Sequence, residues 1–204
     1  MYKIGLTGSI GSGKSTVSKI VVKRGIQLID ADEISRNITS GKSPLISELQ
    51  SAFGPGILNE DGTLNRTKTA EMAFATPSGL QKLTSVVTEK VKEIIQGECD
   101  SLEKEGEKLL FMDIPLLFEN NMSDSFDEVW SVVADTEIRY KRANERDGIS
   151  REDFDARDRS QVPQKTKMEQ SDVVFLNDGT MDELANKVKR EINRVIFFSG
   201  WLNR

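Results

Sequence analysis

Residues 2–16 read YKIGLTGSIGSGKST, and the rest of the chain is organised around this stretch. Tyr2, Ile4 and Leu6 lie in a short apolar run rich in strand formers, which predicts a buried first β-strand. The run breaks at Gly8, and Gly8 to Ser15 (GSIGSGKS) fits the pattern G-x-x-x-x-G-K-[ST]. Glycines let a backbone turn its N–H groups inward, where a β-carbon would obstruct a phosphate. Ser9, Ile10, Gly11, Ser12 and Gly13 would form that cradle. Lys14 brings a mobile charge to the β- and γ-phosphates, and the Ser15 hydroxyl suits Mg²⁺. From Thr16 the pattern TVSKIVVKRG is helical, so the loop sits on a helix N-terminus that itself favours an anion.

The 204 residues suit one α/β domain, or a core carrying inserted subdomains. With 37% hydrophobic and 30% charged residues, the composition is that of a soluble protein. The N-terminus enters a strand at once, without a signal-peptide pattern, and no apolar run approaches bilayer length. A cytoplasmic location with no membrane partner is therefore expected. Cys99 is alone, so no disulfide framework or cysteine metal cluster is available. Histidine is absent, which excludes an imidazole base, His-ligated zinc and Ser-His-Asp chemistry. Acid–base work then falls to a carboxylate, a lysine or water. The net charge of −5 argues against a nucleic-acid surface. Between Arg139 and Lys167, however, nine Lys/Arg face six Asp/Glu, a local excess suited to a polyanionic small ligand.

Along the chain, Gly25 stops the first helix and residues 26–29 predict a second strand. A short helix follows to about Ile38, with Asp30 and Glu33 at capping-box spacing. Residues 41–105 show helical patterns and no convincing strand. Helices are expected over 44–53, over 67–75 and over 80–102, the last broken at Gly97, with a turn or small hairpin at 59–62. Strands return at 108–112, 128–133 and 171–176. Helices are expected over 135–146, from Ser150 to about Gln161, and over 181–197. Alternation of strands and helices implies a five-stranded parallel sheet covered on both faces, an α/β fold in three layers. The strand leading to Asp32 is expected beside the phosphate-loop strand.

Several polar residues offer chemistry. Asp113 ends an apolar strand, the position of a carboxylate that helps hold Mg²⁺, or of a simple turn residue. Asp32 follows the second strand, where a carboxylate orients and deprotonates an attacking hydroxyl, or merely serves the helix terminus. Arg139, Arg142 and Arg146 share one helix face, extended by Arg157 and Gln161. That row reads as a lid covering phosphates or as a solvated face paired with Glu145 and Asp147. Cys99, Met112, Met168 and Trp130 read as packing, while Phe197, Phe198 and Trp201 pack on the core or on a partner.

Taken in order, GLTGSIGSGKSTV, IDADEISR at 29–36, FG at 53–54, DGTLNR at 61–66, PLLFE at 115–119, RYKRANERDG at 139–148, ARDRSQ at 156–161 and SDVVFLNDG at 171–179 closely resemble the dephospho-coenzyme A kinase family. The resemblance implies a P-loop kinase fold with a nucleotide core over 1–40, 106–136 and 168–204. It further implies a helical coenzyme A-binding insertion over 41–105 and a helical lid over 137–167. The implied reaction moves the γ-phosphate of MgATP to the ribose 3′-hydroxyl of dephospho-coenzyme A. Asp32 then matches the catalytic base, Lys14 the phosphate-loop lysine and Arg142 the lid arginine. Arg66, Pro115, Leu116, Leu117 and Glu119 match substrate-side positions, and Asn177 lies where the family approaches the ATP base. Ser15 and Asp113 would hold Mg²⁺.

The implied partner is a small molecule, and a monomer or weak homo-oligomer is expected. Three departures stand out: Val86-Val87-Thr88-Glu89 lacks a frequent His-Pro pair, Arg139 replaces a frequent glutamine, and Ser9 replaces a common glycine. A nucleoside or nucleotide kinase of the same fold is the nearest alternative, but its usual Asp-Arg or Gly-Tyr-Pro-Arg signature is missing. A non-catalytic nucleotide switch is the third reading, and the chain has no Asn/Thr-Lys-x-Asp guanine motif.

Overall fold

The computed structural model describes residues 1–39 and 44–201, so the expected domain boundary at 40/41 lies outside the described residues. The chain divides into two compact units, one formed by Met1–Asp30 with Leu102–Arg204 and the other by Ala31–Ser101. The first unit is built on five parallel strands: β1 (Tyr2–Gly8), β2 (Gln27–Asp30), β3 (Leu109–Asp113), β4 (Glu128–Val133) and β5 (Val173–Leu176). Their order across the sheet is β2-β3-β1-β4-β5. The five-stranded parallel α/β fold expected from the alternating pattern is therefore present. One expectation fails: β2 pairs with β3 and not with the phosphate-loop strand β1. The strand that leads to Asp32 is thus two strand spacings from β1, about 9.5 Å. The acid at the end of the neighbouring strand is Asp113, in register with Leu6 on β1 and Asp30 on β2.

Strand alternation explains the layers. Ile4, Leu6, Leu109, Phe111, Trp130, Val132 and Phe175 form one buried face. Helix α1 (Lys14–Lys23) covers it with Val17 and Val21, and α9 (Met181–Ser199) covers it with Leu184, Val188, Ile192 and Val195. Trp130 meets Phe111 and Phe175 edge-on at 5.0 and 5.4 Å, geometry that suits aromatic quadrupoles. On the opposite face Leu117 packs over Gly5, and a short helix over 164–169 lies against β4. The sequence pattern missed that helix because its six residues contain only one apolar side chain, Met168. Met168 is exposed rather than packed, whereas Cys99, Met112 and Trp130 are buried as expected.

At the amino edge of the sheet, Glu128 accepts hydrogen bonds from Tyr2 (2.8 Å), Trp130 (2.9 Å) and both terminal nitrogens of Arg194 (2.7 and 2.6 Å). The cluster joins β1, β4 and α9. Burial, reinforced by the bond to Glu128, pushes the Tyr2 phenol up to about 12. Partial burial of Glu128 works against its ionisation, but the Arg194, Trp130 and Tyr2 donors prevail and hold its carboxyl below the usual range.

The second unit contains α2 (Ala31–Ile38), α3 (Pro44–Phe53), α4 (Arg66–Phe74) and α5 (Pro77–Lys104). Among the described residues Ile34, Ile38, Leu45, Ile46, Leu49, Ile57, Ala73, Ile95 and Cys99 are its buried apolar residues. The turn at 59–62 closes a small antiparallel bridge between Leu58 and Leu64. Helix α5 runs unbroken through Gly97, contrary to the expected interruption. A glycine weakens a helix by about 1 kcal/mol relative to alanine, too little to break one carried by flanking turns.

Two outcomes test these statements. A β-carbon at Gly97 would meet nothing within 4 Å, so Gly97→Ala should raise the melting temperature by a few degrees, about 0.5–1 kcal/mol. A loss of stability in a thermal melt would place a break at that residue. For Tyr2, the folded state keeps its proton between pH 10 and about 12 while the unfolded chain loses it, so stability falls as pH rises through that window. Tyr2→Phe should remove that alkaline component from urea titrations performed between pH 9 and 12.

Candidate active site

The phosphate loop leaves β1 at the carboxyl edge of the sheet, where open α/β folds bind ligands. Gly11 and Gly13 both take positive φ, 74° and 99°. A side chain at Gly11 would collide with the Arg139 carbonyl, and one at Gly13 with the Asn177 amide. The loop closes on itself through Ser12 N donating to Ser9 O (3.0 Å), and Thr16 N donates to Gly13 O (2.9 Å) as α1 begins. The Ser9 and Ser12 hydroxyls are buried, and neither has a hydrogen-bonding partner within the protein. Ser15, at the start of α1, is exposed.

Lys14 does not project freely. Its ammonium pairs with Asp113 Oδ1, while Ser18 Oγ donates to Asp113 Oδ2 at 2.7 Å. Asp113 is only 2% exposed, so both partners compensate a carboxylate that burial would otherwise penalise. Among the described residues no group of three or more His, Cys, Asp or Glu residues converges as a metal cage. Mg²⁺ on a nucleotide needs none, because it keeps waters and phosphate oxygens and takes one or two protein oxygens. The Ser15 hydroxyl and Asp113 carboxylate are hard-oxygen donors of that kind.

The segment after β3 keeps Leu117 and Phe118 buried and leaves Leu116 exposed. The Pro115 carbonyl accepts from Thr7 Oγ1 at 3.1 Å. Glu119 Oε1 accepts from Val162 N at 2.8 Å and lies 3.0 Å from the ammonium of Lys167, a fully buried cation. Glu119 therefore anchors the short helix over 164–169, which becomes α8 (Gln164–Glu169), to the segment beyond β3.

Helix α6 (Thr136–Asp147) is capped by Asp135, and α7 (Arg151–Arg159) by Ser150. Ala143, Ile149 and Phe154 form a small separate core with Ile10 and Tyr140 packed against it. The expected arginine row does not act as one surface. Arg139 is 1% exposed and turned inward, Arg142 donates to the Asn177 carbonyl at 3.0 Å, and Arg146 pairs with Asp147 at 2.7 Å. The first turn of α6 lies against the phosphate loop while the last is exposed, so side chains on one helix face meet different surroundings. The local basic excess is reduced by acids outside the segment, through the pairs Arg151–Glu137 and Lys167–Glu119. Arg157 remains exposed on α7, and Gln161 lies beyond that helix with its Oε1 accepting from Ile10 N at 3.3 Å.

Asn177 is 4% exposed, and its amide donates to Ser12 O at 2.8 Å. It props the loop from below. In the other unit, Asp32 is an exposed residue of the first turn of α2. Arg66, first residue of α4, donates to the Arg36 carbonyl (3.2 Å), the Thr39 carbonyl (3.3 Å) and Thr39 Oγ1 (3.0 Å), closing the C-terminal end of α2.

A sequence profile described as dephospho-CoA kinase matches residues 2–183. The chain belongs to the dephospho-CoA kinase family. It is 35% identical over 192 residues to the dephospho-CoA kinase of Streptococcus mutans, covering 94% of this chain and 96% of that one. Among solved structures, TT1252 from Thermus thermophilus aligns at 32% identity with a TM-score of 0.80, covering 95% of this chain and 97% of that one. The dephospho-CoA kinase from Campylobacter jejuni aligns at 25% identity with a TM-score of 0.71, covering 95% and 96%. Within this family member, sequence reasoning missed Ser18, Asp158 and Lys167, because each finds its partner across the fold. The one available signal was Arg139, noted as a departure from the family pattern.

Removing the Asn177 amide should loosen the loop it supports. For Asn177→Ala we expect amide hydrogen exchange over residues 9–13 to quicken about five- to thirtyfold, the equivalent of 1–2 kcal/mol. Unchanged exchange there would show that Asn177 does not support the loop.

Proposed function

We infer that this chain is a kinase that transfers the γ-phosphate of ATP to dephospho-coenzyme A, giving coenzyme A and ADP. The observation that carries the reading is the phosphate loop, closed on Ser9 O at the carboxyl edge of the sheet, with Lys14 and Asp113 beside it. Membership of the dephospho-CoA kinase family supplies the acceptor. The reading extends to the ribose 3′-hydroxyl as nucleophile, to a cytoplasmic monomer or weak homo-oligomer, and to a protein that binds neither nucleic acid nor membrane. No helix among the described residues is long and apolar enough to cross a membrane.

In this reading the loop from Ser9 to Thr16 wraps the β- and γ-phosphates with backbone N–H groups and the dipole of α1. Lys14 exchanges the Asp113 carboxylate for phosphate oxygens as the nucleotide binds. Ser15 and Asp113 would hold Mg²⁺, which supplies charge neutralisation on the phosphates. Arg142, braced on the Asn177 carbonyl, adds positive charge where it develops during transfer. Asn177 borders the ATP base. Asp32 orients the acceptor hydroxyl and takes its proton. Arg66, Pro115, Leu116, Leu117 and Glu119 line the acceptor side. The nucleotide core spans 1–40, 106–136 and 168–204, the acceptor-binding insertion 41–105 and the lid 137–167.

A coupled ADP-release assay with MgATP and a panel of acceptors tests the assignment. Dephospho-coenzyme A should stimulate ADP release, and adenosine and nucleoside monophosphates should not. Stimulation by a nucleoside monophosphate alone would transfer the chain to the nucleotide-kinase reading. Asp32→Asn should keep its KM for ATP and lose about 10²–10⁴-fold in kcat. Lys14→Ala should raise that KM and lower kcat together. Near-normal turnover in the Asp32 variant would remove the carboxylate as base.

A further inference from the structure

We propose that Arg139, clamped by Asp158, is a positioning residue that sets the phosphate loop for the nucleotide through the backbone of Ile10 and Gly11, without itself touching the ligand. The proposal rests on the nucleotide-binding part of the function inferred above. An arginine beside a phosphate loop is ordinarily read as a phosphate ligand, but this one has nothing left to offer. A guanidinium carries five N–H donors, and all five are used inside the protein. Nε donates to the Ala134 carbonyl (3.2 Å), Nη1 to the Ile10 carbonyl (3.4 Å) and Asp158 Oδ1 (2.6 Å), and Nη2 to Thr136 Oγ1 (3.2 Å) and Asp158 Oδ2 (3.1 Å). Its planar face stacks over Phe154 at 5.4 Å.

The same residue meets the loop a second time. Its backbone carbonyl occupies the place a Gly11 side chain would take, so the α6 backbone and the loop are in direct contact. Ile10 is held from three directions: its carbonyl by Arg139, its N–H by Gln161 Oε1, and its side chain by the small core of α6 and α7. The bidentate pair with Asp158 links α6 to α7 and fixes the guanidinium plane. Loop, α6 and α7 are thereby joined as one body, with Arg142 on the same helix. A lysine cannot reproduce this, because one ammonium cannot span Ala134, Ile10 and both Asp158 oxygens.

The test compares Arg139→Gln, Arg139→Lys and Asp158→Asn in the full chain. Thermal melts give stability, calorimetric titration with ATP and ADP gives affinity, and steady-state assays give KM for ATP and for dephospho-coenzyme A. Arg139→Gln should weaken ATP and ADP binding about tenfold and leave the KM for dephospho-coenzyme A within about twofold. Arg139→Lys, which keeps the charge opposite Asp158, should recover most of any lost melting temperature but not the nucleotide affinity. Asp158→Asn should shift affinity in the same direction, and the Arg139→Gln/Asp158→Asn pair should be less than additive. If Arg139→Gln does not fold, Arg139→Lys and Asp158→Asn decide the matter. Unchanged ATP affinity in the folded variants would overturn the proposal. So would affinity that returns in step with melting temperature in Arg139→Lys, which would make the residue a fold support only. Calorimetry reads nucleotide binding directly, so these outcomes stand even if dephospho-coenzyme A proves not to be the acceptor.

Discussion

Parallel pairing of β1 with β3 is the constraint on which the site depends. It sets Leu6 opposite Asp113, and so brings a buried carboxylate to the base of the phosphate loop. A carboxylate in that position needs cations and hydroxyls around it, and Lys14 and Ser18 supply them. The Lys14 charge is thus already compensated inside the fold. In the proposed reaction, nucleotide binding would exchange one anionic partner of Lys14 for another.

The loop itself is supported more from its flanks than by its own bonds. Asn177 reaches it from the end of β5, Gln161 from beyond α7 and Arg139 from α6. Each donates to, or accepts from, a backbone group of residues 10–12. Side-chain support of this kind holds the loop backbone and leaves the buried Ser9 and Ser12 hydroxyls without a partner within the protein. The two faces of the sheet divide the remaining work. One carries the large apolar core under α1 and α9. On the other, the fully buried Lys167 holds the segment after β3 through Glu119.

Family membership and local geometry bear on different parts of the function. The profile match and the whole-length relatives identify the reaction class and its acceptor. The geometry around residues 8–18 is what the proposed triphosphate binding rests on, whatever the acceptor. Arg66, proposed for the acceptor side, already carries structural duty, since its guanidinium closes the C-terminal carbonyls of α2.

The sequence by itself determined the phosphate loop, five strands (the last two residues too long) and the helix starts at Asp135, Ser150 and Met181, because each of these is written in neighbouring residues. Glycine spacing, apolar runs and capping side chains act within a few positions of chain. Strand order was decided only by the tertiary structure: every strand here is a short apolar run, and nothing local says that β3 rather than β2 lies next to β1. Helical spacing likewise placed Arg139, Arg142 and Arg146 on one face but not what that face meets along its length. Burial of α6 against the phosphate loop turned the first into an internal brace, set the second on the Asn177 carbonyl and left the third in solvent with Asp147. Local pattern fixes the direction of a side chain, and only packing supplies its partner.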